Sequence, residues 1–220
     1  MGQRVSARPH VQHRGAGGAC VKVVVVATGE TEKRALPGLL ERALRPRTQP
    51  DLRVRCVSHR GLHLMLRELP AVVARQLAGG AACVVAIADL SDPQSYPEGL
   101  DTAGKADHLK RQMAPGCTDP RVVRAVAVWD LEAWLLSEPE VFEHQEIQAA
   151  ARGWGADPEM VDHQQPPGKR LEQLFPQVLG RPYQKIIDGA RLFRRLTPEA
   201  AYRRCGHFRT MIDDIVGALR

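Results

Sequence analysis

Val21–Ala27 is apolar at every position but Lys22, and Gly29 then breaks the chain before a stretch in which Leu36, Leu39, Leu40 and Leu44 recur at helical spacing. This predicts a strand, a glycine turn and a helix over about Thr31–Arg45, closed by Pro46 and Pro50. A short strand follows at Leu52–Ser58. A helix from about Leu62 to Leu77, disturbed at Pro70, ends at Gly79-Gly80. Ala82–Ala88 is apolar at every position, the pattern of a strand covered on both faces, and it stops at Asp89. Beyond the loop-like Ser91–Gly104, a helix is expected over Ala106–Met113, and a fourth strand over Val122–Trp129 running into Asp130–Leu136. Strand and helix alternate throughout, which is the signature of an α/β fold with a mainly parallel, right-handed sheet.

After Pro139 the strand pattern disappears. Short helical patterns replace it at about Glu140–Arg152, Lys169–Leu174, Tyr183–Leu196, Pro198–Arg204 and Phe208–Leu219, with the breaker-rich Asp162–Gly168 between the first two. The organisation expected is a basic flexible tail over 1–20, an α/β domain over 21–139 and a helical C-terminal extension over 140–220 that packs on the sheet. At 220 residues the chain suits one sizeable core with an appendage rather than two full domains.

Composition narrows the class. Hydrophobic residues at 44% and charged residues at 25% exclude disorder as the default, and no apolar run approaches the roughly 20 residues of a membrane span. The stretch Met1–Gly18 carries Arg4, Arg8 and Arg14 but no apolar core of a secretory signal. Five cysteines, odd in number and without a C-x-x-C pair, argue against a disulfide framework or a zinc ribbon and suit a reducing cytoplasm. A net charge of +6 favours a polyanionic partner, yet the excess is dispersed and partly in the tail, so it is a weak pointer.

The candidate chemistry is acidic. Functional groups of an open parallel sheet collect beyond the carboxyl ends of its strands. Glu30 and Glu32 follow the first strand, Asp89 and Asp92 the third, and Asp130 and Glu132 the fourth. Clustered carboxylates call for a compensating cation, and an oxygen-only set suits Mg²⁺ or Mn²⁺. Structural roles compete with this. Glu30 and Glu32 suit the positive end of a helix, Asp89 suits a cap, and Asp92-Pro93 is an ordinary turn opener. Glu132 lies in an apolar run between Trp129 and Trp134, where an ionised group needs a partner. Lys185 is a candidate phosphate contact. Gly29-Glu-Thr-Glu-Lys33 lacks the spacing of a P-loop, and dinucleotide and serine-hydrolase motifs are not found.

Three stretches carry a family resemblance: Val24-Val-Val-Ala-Thr-Gly-Glu-Thr-Glu32, Val85-Ala-Ile-Ala-Asp89 and Val128-Trp-Asp-Leu-Glu-Ala-Trp-Leu-Leu136, supported downstream by Lys169-Arg-Leu-Glu172 and Tyr183-Gln-Lys185. From about Val21 to the C-terminus the chain resembles the Toprim-like proteins of a domain-of-unknown-function family related to the overcoming-lysogenisation-defect nucleases. The resemblance implies a Toprim-like Rossmannoid fold and a metal-dependent nuclease centre with Glu32, Asp89 and Glu132 in its acidic positions. It also implies a nucleic-acid substrate, DNA or RNA, and an ATPase partner in bacterial defence. Two departures stand against this pattern: Thr28 replaces the glutamate expected before the glycine, and Asp89-Leu-Ser-Asp92 replaces Asp-x-Asp. Glu30 and Asp92 are the candidate substitutes, and a binding subunit without catalysis is the alternative reading.

Overall fold

The computed structural model describes residues 20–91, 96–115, 117–160 and 165–220. The expected tail therefore lies almost wholly outside the described residues, as does Asp92. Four strands, β1 (Lys22–Ala27), β2 (Arg53–Ser58), β3 (Cys83–Asp89) and β4 (Val122–Ala127), form one sheet in the order β2-β1-β3-β4. Every pairing is parallel, with Val23 opposite Val54, Val24 opposite Val84 and Val85 opposite Val123.

The alternation along each strand sorts the core into two layers. Val23, Val25, Ala27, Cys83, Val85 and Ile87 face one side, whereas Val24, Val26, Val84, Ala86 and Ala88 face the other. Helix α1 (Glu30–Leu44) covers the first side through Leu36, Leu39 and Leu40, and α2 (Leu62–Ala78) and α3 (Thr102–Gln112) cover the second. With β1 and β3 buried on both faces, their unbroken aliphatic runs are explained. The connections on either side of β1 leave on opposite faces, so the sheet order reverses between β1 and β3, and a crevice opens at their carboxyl ends.

Pro70 does not interrupt α2, which continues through it from Leu62 to Ala78. The proline costs about 3 kcal/mol in a helix interior, and the burial of Leu69, Val72 and Val73 around it offsets that cost. The C-terminal portion is helical: α4 (Gln145–Gly153), α5 (Pro167–Leu179), α6 (Ala190–Arg195), α7 (Pro198–Arg204) and α8 (Gly206–Ala218). Helix α8 lays Phe208, Ile212 and Ile215 on the same face as α1, so this portion packs on the sheet. Trp134, fully buried, meets Phe208 edge-on with 4.8 Å between ring centroids.

Candidate functional site

Three loops at the carboxyl edge deliver four buried carboxylates: Glu32 from the start of α1, Asp89 from the end of β3, and Asp130 and Glu132 from the segment after β4. Glu32 sits in the first turn of α1, where the helix dipole favours a negative charge. It accepts a hydrogen bond from the Thr28 hydroxyl at 3.4 Å. Gly29 leaves it room, since a Cβ there would lie 2.7 Å from Glu32 Oε2.

The β4 loop owes its shape to Trp129. Its φ of 67° is left-handed, which is rare for a bulky side chain, and the Asp130 amide donates back to the Val128 carbonyl at 3.1 Å. This tight turn ends the strand at Ala127, two residues short of the expected Trp129, and tips Asp130 into the crevice. The Trp129 carbonyl accepts from Ser91 at 2.8 Å, tying the β3 and β4 loops together. Strained backbone of this kind gathers at functional sites because surrounding structure must hold it. Asp130 Oδ2 accepts from the Gly168 amide at the start of α5, at 2.9 Å, whereas its buried Oδ1 has no hydrogen-bond partner among the described residues.

Glu132 is held from the C-terminal portion. Tyr183 donates its hydroxyl to Oε1 at 3.3 Å, and the Lys185 ammonium lies 3.3 Å from Oε2. Lys185 opens a π-helical turn, Lys185–Gly189, a form that often marks functional positions. A brace fixes that turn: Arg181 donates both terminal nitrogens to Asp188 at 2.8 Å, and the Gln184 amide donates to Asp188 Oδ2. Phe175 packs edge-on against Tyr183.

The electrostatics follow from burial. Withdrawal from water pushes the Asp130 carboxyl up to about 7, with the Glu132 charge adding to the effect, and burial raises Glu132 as well. Burial alone would lower Lys185, but the charges of Glu132, Asp89, Asp130 and Glu32 outweigh it and hold the ammonium protonated. The lysine is thus a built-in counter-charge for four acids. In front of Asp130 lies a cavity of about 360 Å³, lined by Ser91, Trp129, Gly168, Lys169, Glu172 and Lys185 among others.

The structure therefore brings together Glu32, Asp89, Glu132 and Lys185, all singled out from the sequence. It turns Glu30 away: that side chain is half exposed, accepts from Ser58 at 2.7 Å and pairs with Lys33, contacts that lower its pKa. Asp130, which the sequence placed after the fourth strand without giving it a role, joins the cluster, and so do Tyr183 and Gly168, which it had not singled out. Asp130 carried one signal, its spacing of two from Glu132 just past a strand. The other two are placed only by tertiary packing.

The family model described as "Domain of unknown function (DUF4276)" matches residues 29–215. The chain belongs to the DUF4276 family. The DUF4276 match spans every described carboxylate of the cluster and Lys185. Among solved structures, the chain is similar to the C-terminal region of the Burkholderia pseudomallei OLD protein, with a TM-score of 0.48 and 16% identity over 91% of this chain and 99% of that one. It is also similar to the C-terminal region of the Xanthomonas campestris pv. campestris OLD protein, with a TM-score of 0.43 and 16% identity over 90% of this chain and 94% of that one. No curated protein matches this DUF4276 chain. Among its described residues no helix is long and apolar enough to cross a membrane.

Whether these residues suit a divalent cation can be judged from the donors. All are hard oxygens, and Asp130 Oδ1 is buried without a partner, both of which fit Mg²⁺. Among the described residues, however, no three Asp, Glu, His or Cys side chains converge to enclose an ion. The set fits an ion held by one or two carboxylates, not a preformed cage.

Proposed function

We propose that the chain is a Toprim-like, divalent-metal-dependent phosphodiesterase acting on nucleic acid. The observation that carries this reading is the gathering of Glu32, Asp89, Asp130 and Glu132 around the Lys185 ammonium at the carboxyl edge of a parallel sheet. In this proposal Asp130 and Glu132 hold the Mg²⁺ or Mn²⁺, with Glu32 and Asp89 completing the negative field. A divalent cation there supplies charge neutralisation for a phosphate under attack.

The remaining work falls to the chain itself. Lys185 steadies a non-bridging phosphate oxygen as it exchanges part of its contact with Glu132. Tyr183 keeps Glu132 oriented through its hydroxyl. Asp130 Oδ1, buried and without a hydrogen-bond partner among the described residues, would be the oxygen that meets the cation. The cysteine pattern extends the proposal to a cytoplasmic setting, and the family resemblance extends it to DNA or RNA as substrate and to an ATPase partner in bacterial defence.

The contact of Lys185 with Glu132, together with Thr28 and Ser91 in place of acids, favours one second reading. The chain would then be a binding subunit that has exchanged its metal for a tethered ammonium. Calorimetric titration with Mn²⁺, beside cleavage of plasmid and RNA in Mg²⁺, separates the two. The enzyme reading expects metal binding and cleavage, both lost in Glu132→Gln and Asp89→Asn variants that still fold. Folded wild-type protein that neither binds Mn²⁺ nor cuts either substrate would overturn it in favour of the binding subunit.

A further inference from the structure

Of the two acids assigned to the metal, one has an open oxygen and the other has none. Asp130, 3% exposed beneath a roof formed by the first residues of α5, accepts from the Gly168 amide through Oδ2 and leaves Oδ1 without a hydrogen-bond partner among the described residues. Glu132 has no solvent exposure, and both of its oxygens are engaged, Oε1 by the Tyr183 hydroxyl and Oε2 by the Lys185 ammonium, each at 3.3 Å. A divalent ion that binds Glu132 therefore enters beside a cation already in place. Like charges at that separation repel strongly in a site withdrawn from water.

We propose that Lys185 is a tethered competitor of the divalent cation, drawn off Glu132 by a substrate phosphate, so that metal and phosphodiester bind this site cooperatively; this rests on the metal-dependent reading above. Lys185 stands where such an exchange needs it. Its ammonium meets a carboxylate at the bottom of the crevice, while its side chain is 39% exposed and lines the cavity of about 360 Å³ in front of Asp130. The bonds from Arg181 to Asp188 fix the backbone of the π-turn, which leaves the flexible four-carbon stem to move the charge.

Each ligand alone meets an obstacle that the other removes. A phosphate entering the cavity faces the carboxylates of Asp130 and Glu172 on its walls. If it draws the ammonium away and nothing follows, Glu132 is left charged and buried without its partner, the costly state of a broken buried pair. A divalent ion entering alone pushes the ammonium off Glu132 with only water to receive it. When both enter, the ion takes over the carboxylates and the ammonium passes to a phosphate oxygen, where it forms a charge-assisted hydrogen bond. Such coupling is reciprocal: whatever phosphate does for the metal, the metal does for phosphate.

Mn²⁺ binding to the whole protein tests this, read from the paramagnetic resonance signal of the free ion. Titrations are run in excess dimethyl phosphate, a phosphodiester without base or sugar, and in sodium chloride of equal ionic strength. Only binding that Glu132→Gln abolishes is counted. Wild-type protein is expected to bind Mn²⁺ about tenfold more tightly in dimethyl phosphate than in chloride. Lys185→Met should show about that tenfold gain in chloride already, with less than about threefold added by dimethyl phosphate. Lys185→Gln, neutral and still able to donate to Glu132, repeats the comparison if the methionine variant does not fold. Lys169→Ala removes an equal charge from the same cavity wall and should change the affinity less than about threefold. Equal Mn²⁺ affinity in parent and Lys185→Met, a wild type indifferent to dimethyl phosphate, or an equal gain in Lys169→Ala each overturns the proposal and leaves the metal site standing. Absence of Mn²⁺ binding in every form and in both solutions removes the metal reading together with this one.

Discussion

The ammonium of Lys185 lies 3.3 Å from Oε2 of Glu132, a carboxylate with no solvent exposure of its own. Removing one partner of a buried pair costs about 3–5 kcal/mol, because the survivor is left charged in a poor solvent. Lys185 is 39% exposed, so water can partly replace it, and Lys185→Met is expected to cost nearer 2 kcal/mol. Urea unfolding in chelator measures this. A variant as stable as the parent would mean that Glu132 is protonated and the ammonium idle.

The pH dependence has a definite sign. Asp130 is raised from 3.8 to about 7, so the folded state binds its proton more tightly than the unfolded chain does. Its contribution to stability is complete below about pH 4 and is lost as pH rises through about 7. Asp119 and Asp188, both lowered, act in the opposite direction, and their contributions are lost as the solution is acidified. Comparison with Asp130→Asn isolates the first effect. In chelator the variant should gain on the parent between pH 4 and pH 8, by on the order of 3 kcal/mol. A gap that stays constant with pH would refute the raised carboxyl.

Gly168→Ala probes the roof of the crevice. Its new methyl would press on Asp130 Oδ2 at 2.7 Å, so either the carboxylate or the start of α5 must move. The expected loss is about 1–3 kcal/mol of stability, with a weaker hydrogen bond from residue 168 to Asp130. Thermal melting and cleavage rate should fall together, whereas a fully stable and active variant would show that the roof yields freely.

Asp188 never touches the acids, yet it shapes the turn that carries Tyr183 and Lys185. Three hydrogen bonds converge on its side chain, from Arg181 twice and from the Gln184 amide. Asp188→Ala leaves these donors without their acceptor, at a cost of about 1–3 kcal/mol. Through Lys185 it should also weaken phosphate binding. Rescue by Asp188→Glu of the binding but not of the melting temperature would separate the brace from the site.

At Trp129 two effects oppose each other. A glycine would relieve a left-handed backbone worth about 1–3 kcal/mol, while deleting a buried indole costs about 3–5 kcal/mol. Burial wins, and Trp129→Gly should be less stable by on the order of 2 kcal/mol. A stabilised variant would show that the strain exceeds this range.

Much of this architecture is written locally. The unbroken valines of Val23–Val26 and Val84–Val85 need cover on both faces, and the structure places both strands centrally. Glu132, an acid in an apolar run, announced a need for partners, but not which ones. Tyr183 is 51 residues away, and only the folding of α5 and the π-turn back over the β4 loop brings it there. Glu30 and Glu32 look alike in sequence, two residues apart on one helix turn. Rotation about the helix axis sends one to Ser58 and Lys33 and the other into the crevice. The left-handed Trp129 could not be read at all, since its side chain argues against that conformation and the loops around it impose it.

The crevice is lined by the early chain and roofed by Gly168, Tyr183 and Lys185, all of which come after the last strand. On the ribosome, where folding starts from the N-terminal side, the sheet can form while these three residues are still inside the exit tunnel. A nascent chain at that stage shows four acids and no ammonium. The site is therefore finished late, and an unfinished copy, or one cut before α5, carries the acids without the ammonium that offsets them.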